Sequence, residues 1–466
     1  MISVDLGDAE PLCGGVGKVP LGIGNRHDLA ARVAGESGKV GEGGPGAGAQ
    51  DANAKAARCA HGMSRIIHGP PRDYSDRIPV ITNARITPRG EDRLRAGHPW
   101  IYRSDVRDVE GQPGPVVRVL GHQDRPLGHA LFSNQSQIVL RVISRGDVVI
   151  DEAFWRGRLK SAIDFRASLG MNATAYRLVH GEADLLPSLI VDKYGDYLVL
   201  QALSQGMDTL LPTLIRLLVE LTGAKGVLGR NDPKVRLLEG LEQKVELLYG
   251  EVPPTIAVKE GSVSYDVDPW HGQKTGLFLD QRENREAAAR YANGRILDCF
   301  SYNGGFALRL ASKASHVDAL DSSADAVARI AQNAAANNLK NVTAREANVF
   351  DALRLMEREG ARYDMVVLDP PAFAKNKASV EKALAGYKEI NLRALRLLNP
   401  GGYLVTCSCS YNVDEAMFGQ VLYEASVDSH TPVTVVEKRM QGRDHPVLLG
   451  VPETYYLKCF ILRKLA

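Results

Sequence analysis

The sequence is poor in cysteine and in aromatic residues, and it has no long uninterrupted hydrophobic run. Its 466 residues contain six cysteines at irregular spacing, and Phe, Trp and Tyr together make up 6%. So few cysteines in so long a chain argue against a disulfide framework and predict a reducing, cytoplasmic location. The longest apolar stretch, residues 210–221, is interrupted by Pro212, Arg216 and Glu220. A membrane span needs about 20 apolar residues, so none is predicted.

Net charge is also small, and no metal-binding spacing is present. Lys and Arg number 57 and Asp and Glu 55, which gives a net charge of +2. This balance does not indicate a nucleic-acid partner by itself, so any basic surface has to be local. Cys407 and Cys409 form one Cys-x-Cys pair without a second pair. That spacing predicts no zinc site and no resident metal.

The N-terminal segment differs in composition from the rest of the chain. Residues 1–80 hold 15 of the 45 glycines, and Tyr74 is their only Phe, Trp or Tyr. Such a segment buries too little apolar surface to offset the entropy of ordering, so residues 1–78 are predicted to be disordered. A sharper hypothesis is that translation starts at Met63, which the intact mass of the native protein would test.

Residues 79–150 form the first orderly region. Short strand-like runs alternate there with Gly, Pro and Asn turns, which predicts a small all-β module, a compact β-barrel. Ten Arg, no Lys and seven acidic residues between 81 and 150 give a local net charge of +3. Trp100, Arg103 and Arg107 combine aromatic and basic character, which suits contact with RNA. The alternative is a core aromatic residue with solvated arginines.

Residues 151–267 have a mixed pattern. Residues 151–180 have a helical pattern, with Gly170 as the stop, and two strands around a turn follow. An amphipathic helix covers 209–223, and further strands come after it. This order predicts an α+β middle domain.

Residues 268–466 have a different rhythm, in which short apolar strands alternate regularly with helices. This alternation predicts an α/β domain with a doubly wound, Rossmann-like parallel sheet. Ligands of such sheets bind at the carboxyl ends of the strands. The residues at those ends are therefore the candidate site.

The first two strands of this domain end at Asp298 and Asp321. Gly304 and Gly305 follow the first strand and allow a ligand to approach the backbone closely. Asp321 comes 23 residues after Asp298, near the spacing at which an acidic residue binds a ribose diol. A tight turn at the glycines and a helix N-cap at Asp321 remain the alternatives.

The next three strand ends add an amide, an acid and a thiol. Asn348 can accept a hydrogen bond from an adenine amino group, with Val349 against the ring, although a turn asparagine is the alternative. Asp369 precedes Pro370, which cannot continue the ladder and makes a rigid lip. Cys409 ends the fifth strand, where a buried structural cysteine is the alternative. Together the ends predict a nucleoside cofactor beside an acid and a thiol.

Several segments resemble known families. FSYNGGFA, DPPAFAK and SCS resemble motifs of class I S-adenosylmethionine-dependent methyltransferases, and GHPWIYRSDV resembles the start of a PUA domain. GEADLLPSLIVDKYGDYLV and KTGLFLDQRENR are similar to signature segments of the ribosomal RNA large subunit methyltransferase I family. The resemblance covers roughly residues 80–466. That family makes 5-methylcytosine in 23S rRNA.

The resemblance implies S-adenosyl-L-methionine as cofactor and a set of pocket residues. These are Lys274, Gln281, Arg282, Asp298, Ser301, Gly304, Gly305, Asp321, Asn348, Val349, Asp369 and Pro370. Asn348 departs from the Asp that such enzymes more often have. Ala372 stands where some 5-methylcytosine enzymes carry a second cysteine, so the base that removes the C5 proton is not identified.

The resemblance also implies the reaction and the partner. Cys409 would attack C6 of a cytosine in 23S rRNA to form a covalent intermediate, with Asp369 assisting. The substrate would be naked rRNA or an early assembly intermediate, and a homodimer is compatible with the family. Asp-Pro-Pro-Ala-Phe overlaps with the motif of enzymes that methylate amino groups, so an RNA N-methyltransferase acting on guanine or adenine is the first alternative. A non-catalytic RNA-binding protein is the second, and a nicotinamide oxidoreductase is disfavoured because the third glycine is missing.

Overall fold

The computed structural model describes residues 82–114, 116–374 and 376–465. The predicted disorder of residues 1–78 and the alternative start at Met63 lie outside these residues. No helix of the described part of the chain is both long and apolar enough to cross a membrane.

A six-stranded sheet with the order β2-β6-β5-β4-β1-β3 forms the first module. Its elements are β1 (Thr82–Ile86), α1 (Pro88–Arg95), β2 (Trp100–Tyr102), β3 (Val106–Val109), β4 (Val116–Leu120), β5 (Pro126–Phe132) and β6 (Ile138–Arg145). The prediction of an all-β module missed α1. Thr87 caps this helix by accepting a hydrogen bond from the Gly90 amide, and Pro88 occupies the first turn, where its missing N–H costs nothing.

A five-stranded sheet with the order β11-β10-β9-β8-β7 follows. The elements of this region are α2 (Glu152–Ser168), β7 (Ala175–His180), β8 (Leu189–Tyr194), β9 (Tyr197–Ala202), α3 (Gln205–Thr222), β10 (Gly226–Asn231), β11 (Lys244–Gly250), β12 (Ile256–Glu260) and β13 (Val263–Val267). The helix predicted to stop at Gly170 ends at Ser168, and the chain turns at Gly170 with φ of 58° before it enters β7. β12 and β13 pair separately as a hairpin.

A seven-stranded sheet with the order β16-β15-β14-β17-β18-β20-β19 forms the last module. Its elements are α4 (Arg282–Ala288), β14 (Arg295–Cys299), α5 (Gly305–Ala311), β15 (His316–Asp321), α6 (Ala324–Ala336), β16 (Val342–Glu346), α7 (Val349–Arg358), β17 (Tyr363–Leu368), α8 (Val380–Leu397), β18 (Leu398–Ser408), α9 (Glu415–Asp428), β19 (Val433–Arg439) and β20 (Lys458–Lys464). β14 to β18 run parallel, as predicted, and β20 lies antiparallel between β18 and β19.

Helices cover both faces of this sheet, and its central strands are therefore mainly apolar. Leu297 packs with the cluster under α8 and α9, while Ile296 packs with the cluster under α4 and α5. Each fully buried aliphatic side chain contributes about 1.5–3 kcal/mol through burial. Asp298, Asp321, Asp369 and Cys409 lie at or just beyond the carboxyl ends of the strands, which places the site at one edge of the sheet.

Buried hydrogen bonds join the first module to the middle region. Arg141 on β6 donates to the Glu239 carboxylate at 2.7 Å, and both side chains are almost fully buried. The Trp100 indole N–H donates to the Glu182 carboxylate at 3.0 Å. Breaking a buried ion pair by removing one partner costs about 3–5 kcal/mol, so these contacts fix the first module firmly.

Candidate functional site

A cavity of about 230 Å³ lies at the carboxyl ends of β14, β15, β17 and β18. The structure brings to its wall the predicted residues Lys274, Gln281, Asp298, Ser301, Gly305, Asp321, Asp369, Pro370 and Cys409. Strand ends far apart in the sequence meet here because the five strands are parallel. The predicted cofactor side and the predicted thiol side therefore share one space.

The loop after β14 has an unusual backbone. Phe300 and Tyr302 have φ of 61° and 51°, and Gly304 has φ of 86° where α5 begins. Non-glycine residues rarely adopt these angles, and strain of this kind persists where the surroundings impose it, often at functional sites. A Cβ on Gly305 would lie 3.2 Å from a guanidinium nitrogen of Arg285. A side chain at position 305 would therefore press against Arg285 in the cavity wall.

Asp298 is almost fully buried at the base of this loop. One carboxylate oxygen accepts hydrogen bonds from the Ser301 hydroxyl and from the Ala307 amide, the latter at 2.9 Å. The other oxygen has no partner. Burial raises the pKa of Asp298 to about 7, against the hydrogen bonds that favour its ionised form.

Asp321 is held at the end of β15 by two backbone amides. Its two oxygens accept from Tyr302 N at 2.8 Å and from Ser323 N at 3.0 Å. Each carboxylate oxygen has a second lone pair, so both can still accept a hydroxyl hydrogen bond. The carboxylate is thus oriented toward the cavity, where a ribose diol could bind.

Asp369 follows β17 and faces Gln281. The Gln281 side-chain amide donates to the Asp369 carboxylate at 2.8 Å. Burial and the nearby charge of Asp280 raise the pKa of Asp369 to about 6, although the Gln281 hydrogen bond opposes the shift. Asp369 therefore lies close to the point of ionisation at neutral pH, which suits a group that donates or accepts a proton.

Cys409 lies directly after β18 and is partly exposed in the cavity wall. Its Sγ lies 3.8 Å from the Pro370 carbonyl oxygen. Burial raises the pKa of Cys409 to about 11, although the charge of Lys274 opposes the shift. Cys407, two residues earlier, is fully buried in the core instead.

Lys274 and Asp280 form an ion pair on the opposite wall. Lys274 Nζ lies 2.7 Å from an Asp280 oxygen that also accepts from the Tyr456 hydroxyl at 2.7 Å. Burial opposes ionisation of Asp280, but Lys274 and His445 together hold its pKa well below the usual value. The backbone of Lys274 has φ of 53°, a second strained position at the cavity.

Four of the predicted cofactor residues do not reach the wall of this cavity. Arg282 pairs with buried Asp444 at 3.0 Å. The Asn348 side-chain oxygen accepts from the first amides of α7, the turn role that the sequence left open, and Val349 is packed in the core. Gly304 contributes through its backbone angle alone. The cofactor role of all four remains a prediction.

Other wall residues were not singled out from the sequence. They are Gln273, Phe278, Arg285, Phe300, Tyr302, Asn303, Phe306, Ser322 and Leu457. Arg285 lies one helical turn after Arg282 on α4 and forms a buried ion pair with Glu260. The i, i+3 spacing in the segment DQRENR was the only signal for it, and it does not say which arginine points inward.

The three residues predicted to contact RNA lie on the first module. Trp100 is half-buried and packs edge-on against His98, with ring centroids 5.3 Å apart. Arg103 donates to the carbonyl oxygens of Asn134 and Ser136 at 2.7 and 2.9 Å. Arg107 is exposed on β3. Of these three residues, Arg107 is the arginine whose guanidinium is exposed to solvent and is not used in hydrogen bonds to backbone carbonyl oxygens as that of Arg103 is.

The cavity lining fits a cationic nucleoside. Four of the lining side chains are carboxyl groups and two, Lys274 and Arg285, are positively charged. The lining therefore attracts a positively charged ligand. Buried polar atoms of Asp280, Asp298 and Asn303 have no hydrogen-bond partner. Buried polar groups are nearly always paired in native proteins, so these atoms are ready to bind a ligand. In the described part of the chain, no three His, Cys, Asp or Glu residues gather in a way that could hold a metal ion.

The fold and the site together define a class I methyltransferase whose cofactor is S-adenosylmethionine. The family model described as S-adenosylmethionine-dependent methyltransferase matches residues 176–460, and a PUA-like domain model matches residues 84–145. The chain belongs to the ribosomal RNA large subunit methyltransferase I family. It is 38% identical to that protein of Vibrio cholerae over 397 residues, covering 83% of this chain and 100% of the relative. It is 40% identical to that of Tolumonas auensis over 384 residues, covering 80% of this chain and 97% of the relative.

Solved structures support the fold. A protein described as a methyltransferase, solved in complex with SAH, has a TM-score of 0.72 at 23% identity and covers 82% of this chain. A SAM-dependent methyltransferase from Streptococcus mutans has a TM-score of 0.70 at 22% identity, again over 82% of this chain. In both comparisons the whole of the other chain is covered. The arrangement of the three sheets is therefore shared over the described residues.

Proposed function

We propose that the protein methylates C5 of a cytosine in 23S ribosomal RNA through a covalent bond between Cys409 and C6. The relatives are large subunit rRNA methyltransferases, which supports an rRNA substrate. The observation that carries the finer proposal is the placement of Cys409 and Asp369 in one cavity with the cofactor residues. Methylation of an exocyclic amino group needs no such thiol.

The cofactor, when bound, supplies an electrophilic methyl group. Cytosine C5 is a poor nucleophile, so the ring has to be activated first. The Cys409 thiolate adds to C6, and Asp369 hydrogen-bonds to N3 and N4, which favours the protonated ring and so stabilises the negative charge that builds up on it. After methylation a base removes the C5 proton and Cys409 leaves. The first of these steps requires ionisation of a thiol whose pKa is raised.

The target base has to leave its stack to enter the cavity. Extracting a base from a duplex costs a few kcal/mol, and an unpaired base costs less. We therefore infer that naked 23S rRNA or an early assembly intermediate is the substrate. Arg107 and Trp100 on the first module would contact the RNA away from the target base.

A second candidate function is N-methylation of guanine or adenine in RNA. The raised pKa of Cys409 favours it, because a thiol that stays protonated at neutral pH is a poor nucleophile. Asp369 with Pro370 and Pro371 is also compatible with binding an amino group at the cavity mouth.

The test uses unmodified 23S rRNA transcript, S-adenosylmethionine and the full chain. The RNA is digested after incubation, and methylated nucleosides are identified by mass spectrometry for the wild type, Cys409→Ala and Cys407→Ala. We expect 5-methylcytidine from the wild type and from Cys407→Ala, whose change lies in the core, and none from Cys409→Ala. A methylated purine, or an active Cys409→Ala protein, would establish N-methylation instead.

A further inference from the structure

Lys458 is a buried lysine that the proposed reaction does not use. It begins β20, where its Cα pairs with Ser408, the last residue of β18. Its exposed fraction is 2%. The ammonium group donates to the carbonyl oxygens of Ser410 and Tyr456 at 2.7 and 3.0 Å. The cavity wall itself does not include it.

The charge of Lys458 has no carboxylate partner. Within the described ranges, no acidic oxygen lies within the 4.0 Å that defines an ion pair with its Nζ. Burying a charge is costly unless an opposite charge or several hydrogen bonds compensate it. Two carbonyl oxygens use two of its three donors, and the third is available. A group near Lys458 that becomes negatively charged during the reaction could therefore pair with its ammonium group.

The contacts of Lys458 indicate that this group is the thiol of Cys409. Lys458 is fixed to Ser408 through the sheet and to Ser410 through its ammonium group, so it spans the residue between them, which is Cys409. We propose that Lys458 is a positioning residue that holds the turn carrying Cys409 and stabilises the Cys409 thiolate. This inference rests on the proposed role of Cys409 as nucleophile.

The charged groups around the pair set the direction of its titration. Lys274 and Lys458 favour the Cys409 thiolate, whereas Asp369 and Asp280 oppose it. Burial lowers the pKa of Lys458 to about 8, while Cys409 and Asp414 act to raise it. Below pH 8, where Lys458 is mainly protonated, ionisation of Cys409 releases the thiol proton to solvent and Lys458 keeps its own. The resulting pair is neutral overall, which relieves the uncompensated charge.

The test measures how readily Cys409 is alkylated as a function of pH. Iodoacetamide reacts with thiolates, and fragment-resolved mass spectrometry separates Cys409 from the buried Cys407. In Lys458→Gln the amide still donates to the two carbonyl oxygens but carries no charge; in Lys458→Arg the charge is permanent. We expect alkylation below pH 8, where Lys458 is mainly protonated, to fall about tenfold in the Gln variant, which corresponds to a rise of one unit in the thiol pKa. The Arg variant should react at least as fast as the wild type.

Overlapping alkylation profiles of the wild type and Lys458→Gln would overturn the proposal. If the Gln variant does not fold, the Arg variant decides alone. Its fixed charge should speed alkylation several-fold at pH 9–10, where Lys458 of the wild type has mostly lost its proton, and an unchanged rate there would refute the idea. The rRNA assay with Cys409→Ala distinguishes failure of the proposed function from failure of the proposed role of Lys458. An active Cys409→Ala protein removes the proposed function, whereas an inactive one with unaltered Gln-variant alkylation removes only the role of Lys458.

Discussion

Three of the carboxylates that line the cavity, those of Asp280, Asp298 and Asp369, differ in how readily they ionise. Asp280 is ionised because Lys274 pairs with it, despite its burial. Burial is the main cause that raises the pKa of Asp298 to about 7 and the pKa of Asp369 to about 6. The negative charge available to a cationic ligand therefore grows as the pH passes through neutrality.

Binding of S-adenosylmethionine should strengthen as the pH rises from 5.5 to 7.5. Both raised carboxyl groups are mainly protonated at the lower pH and mainly ionised at the higher one, and the ionised forms attract the sulfonium. Isothermal titration calorimetry should show a gain of about tenfold, equivalent to one pKa unit. S-adenosylhomocysteine lacks the positive sulfur and serves as control, with a smaller gain. Equal gains for the two ligands would contradict this account.

Asp321→Asn should weaken cofactor binding about tenfold or more. The change removes the charge and one acceptor oxygen, so the side chain can no longer serve Tyr302 N, Ser323 N and a ribose diol together. A hydrogen bond to a charged group contributes about 1.5–3 kcal/mol. Calorimetry on the variant measures the effect. Asp325→Asn changes an exposed carboxylate in the first turn of α6 and should bind like the wild type.

The start of α5 depends on a glycine in the left-handed region. Gly304→Ala places a Cβ at φ of 86° and 3.1 Å from Leu308, and Gly360→Ala meets a similar φ of 71° with nothing within 4 Å. The backbone cost is about 1–2 kcal/mol in both. Urea unfolding should show a larger loss for Gly304→Ala, and only this variant should lose cofactor affinity. Equal stability and equal affinity for the two variants would mean that the loop tolerates a side chain.

The sequence was sufficient to predict which residues share the cavity where their position follows from a strand end. Asp298, Asp321, Asp369 and Cys409 were found because parallel strands end at one edge, and the structure brings all four together. Alternation of strands and helices was enough to predict that edge.

It failed where a side chain reaches the site from elsewhere. Arg285 was missed because helical spacing predicts a face but not the direction in which that face points. Lys458 was missed because β20 inserts between β18 and β19, a pairing that no local pattern encodes. The side-chain oxygen of Asn348 can either cap a helix or bind a ligand. In this structure it caps α7 by accepting hydrogen bonds from the first amides of the helix.

The first module should contribute affinity for RNA through exposed charge. Arg107→Ala should weaken binding of 23S rRNA fragments and reduce the slope of log K against log salt by about 1, because one phosphate contact is lost. Fluorescence anisotropy across a salt series measures both. Arg358→Ala removes an exposed charge at the end of α7 and is the control. The same slope for Arg107→Ala and wild type would place the RNA elsewhere.

The buried bonds of Trp100 to Glu182 and of Arg141 to Glu239 have a consequence for target choice. They leave the first module no freedom to slide relative to the middle region. Under the proposed function, the span from Arg107 to Cys409 is then a fixed length. The enzyme would then select its cytosine by distance, that is, by the number of nucleotides between the target and the RNA segment bound by the first module. Inserting one nucleotide into that spacer would move the methyl group to a neighbouring base or prevent its transfer.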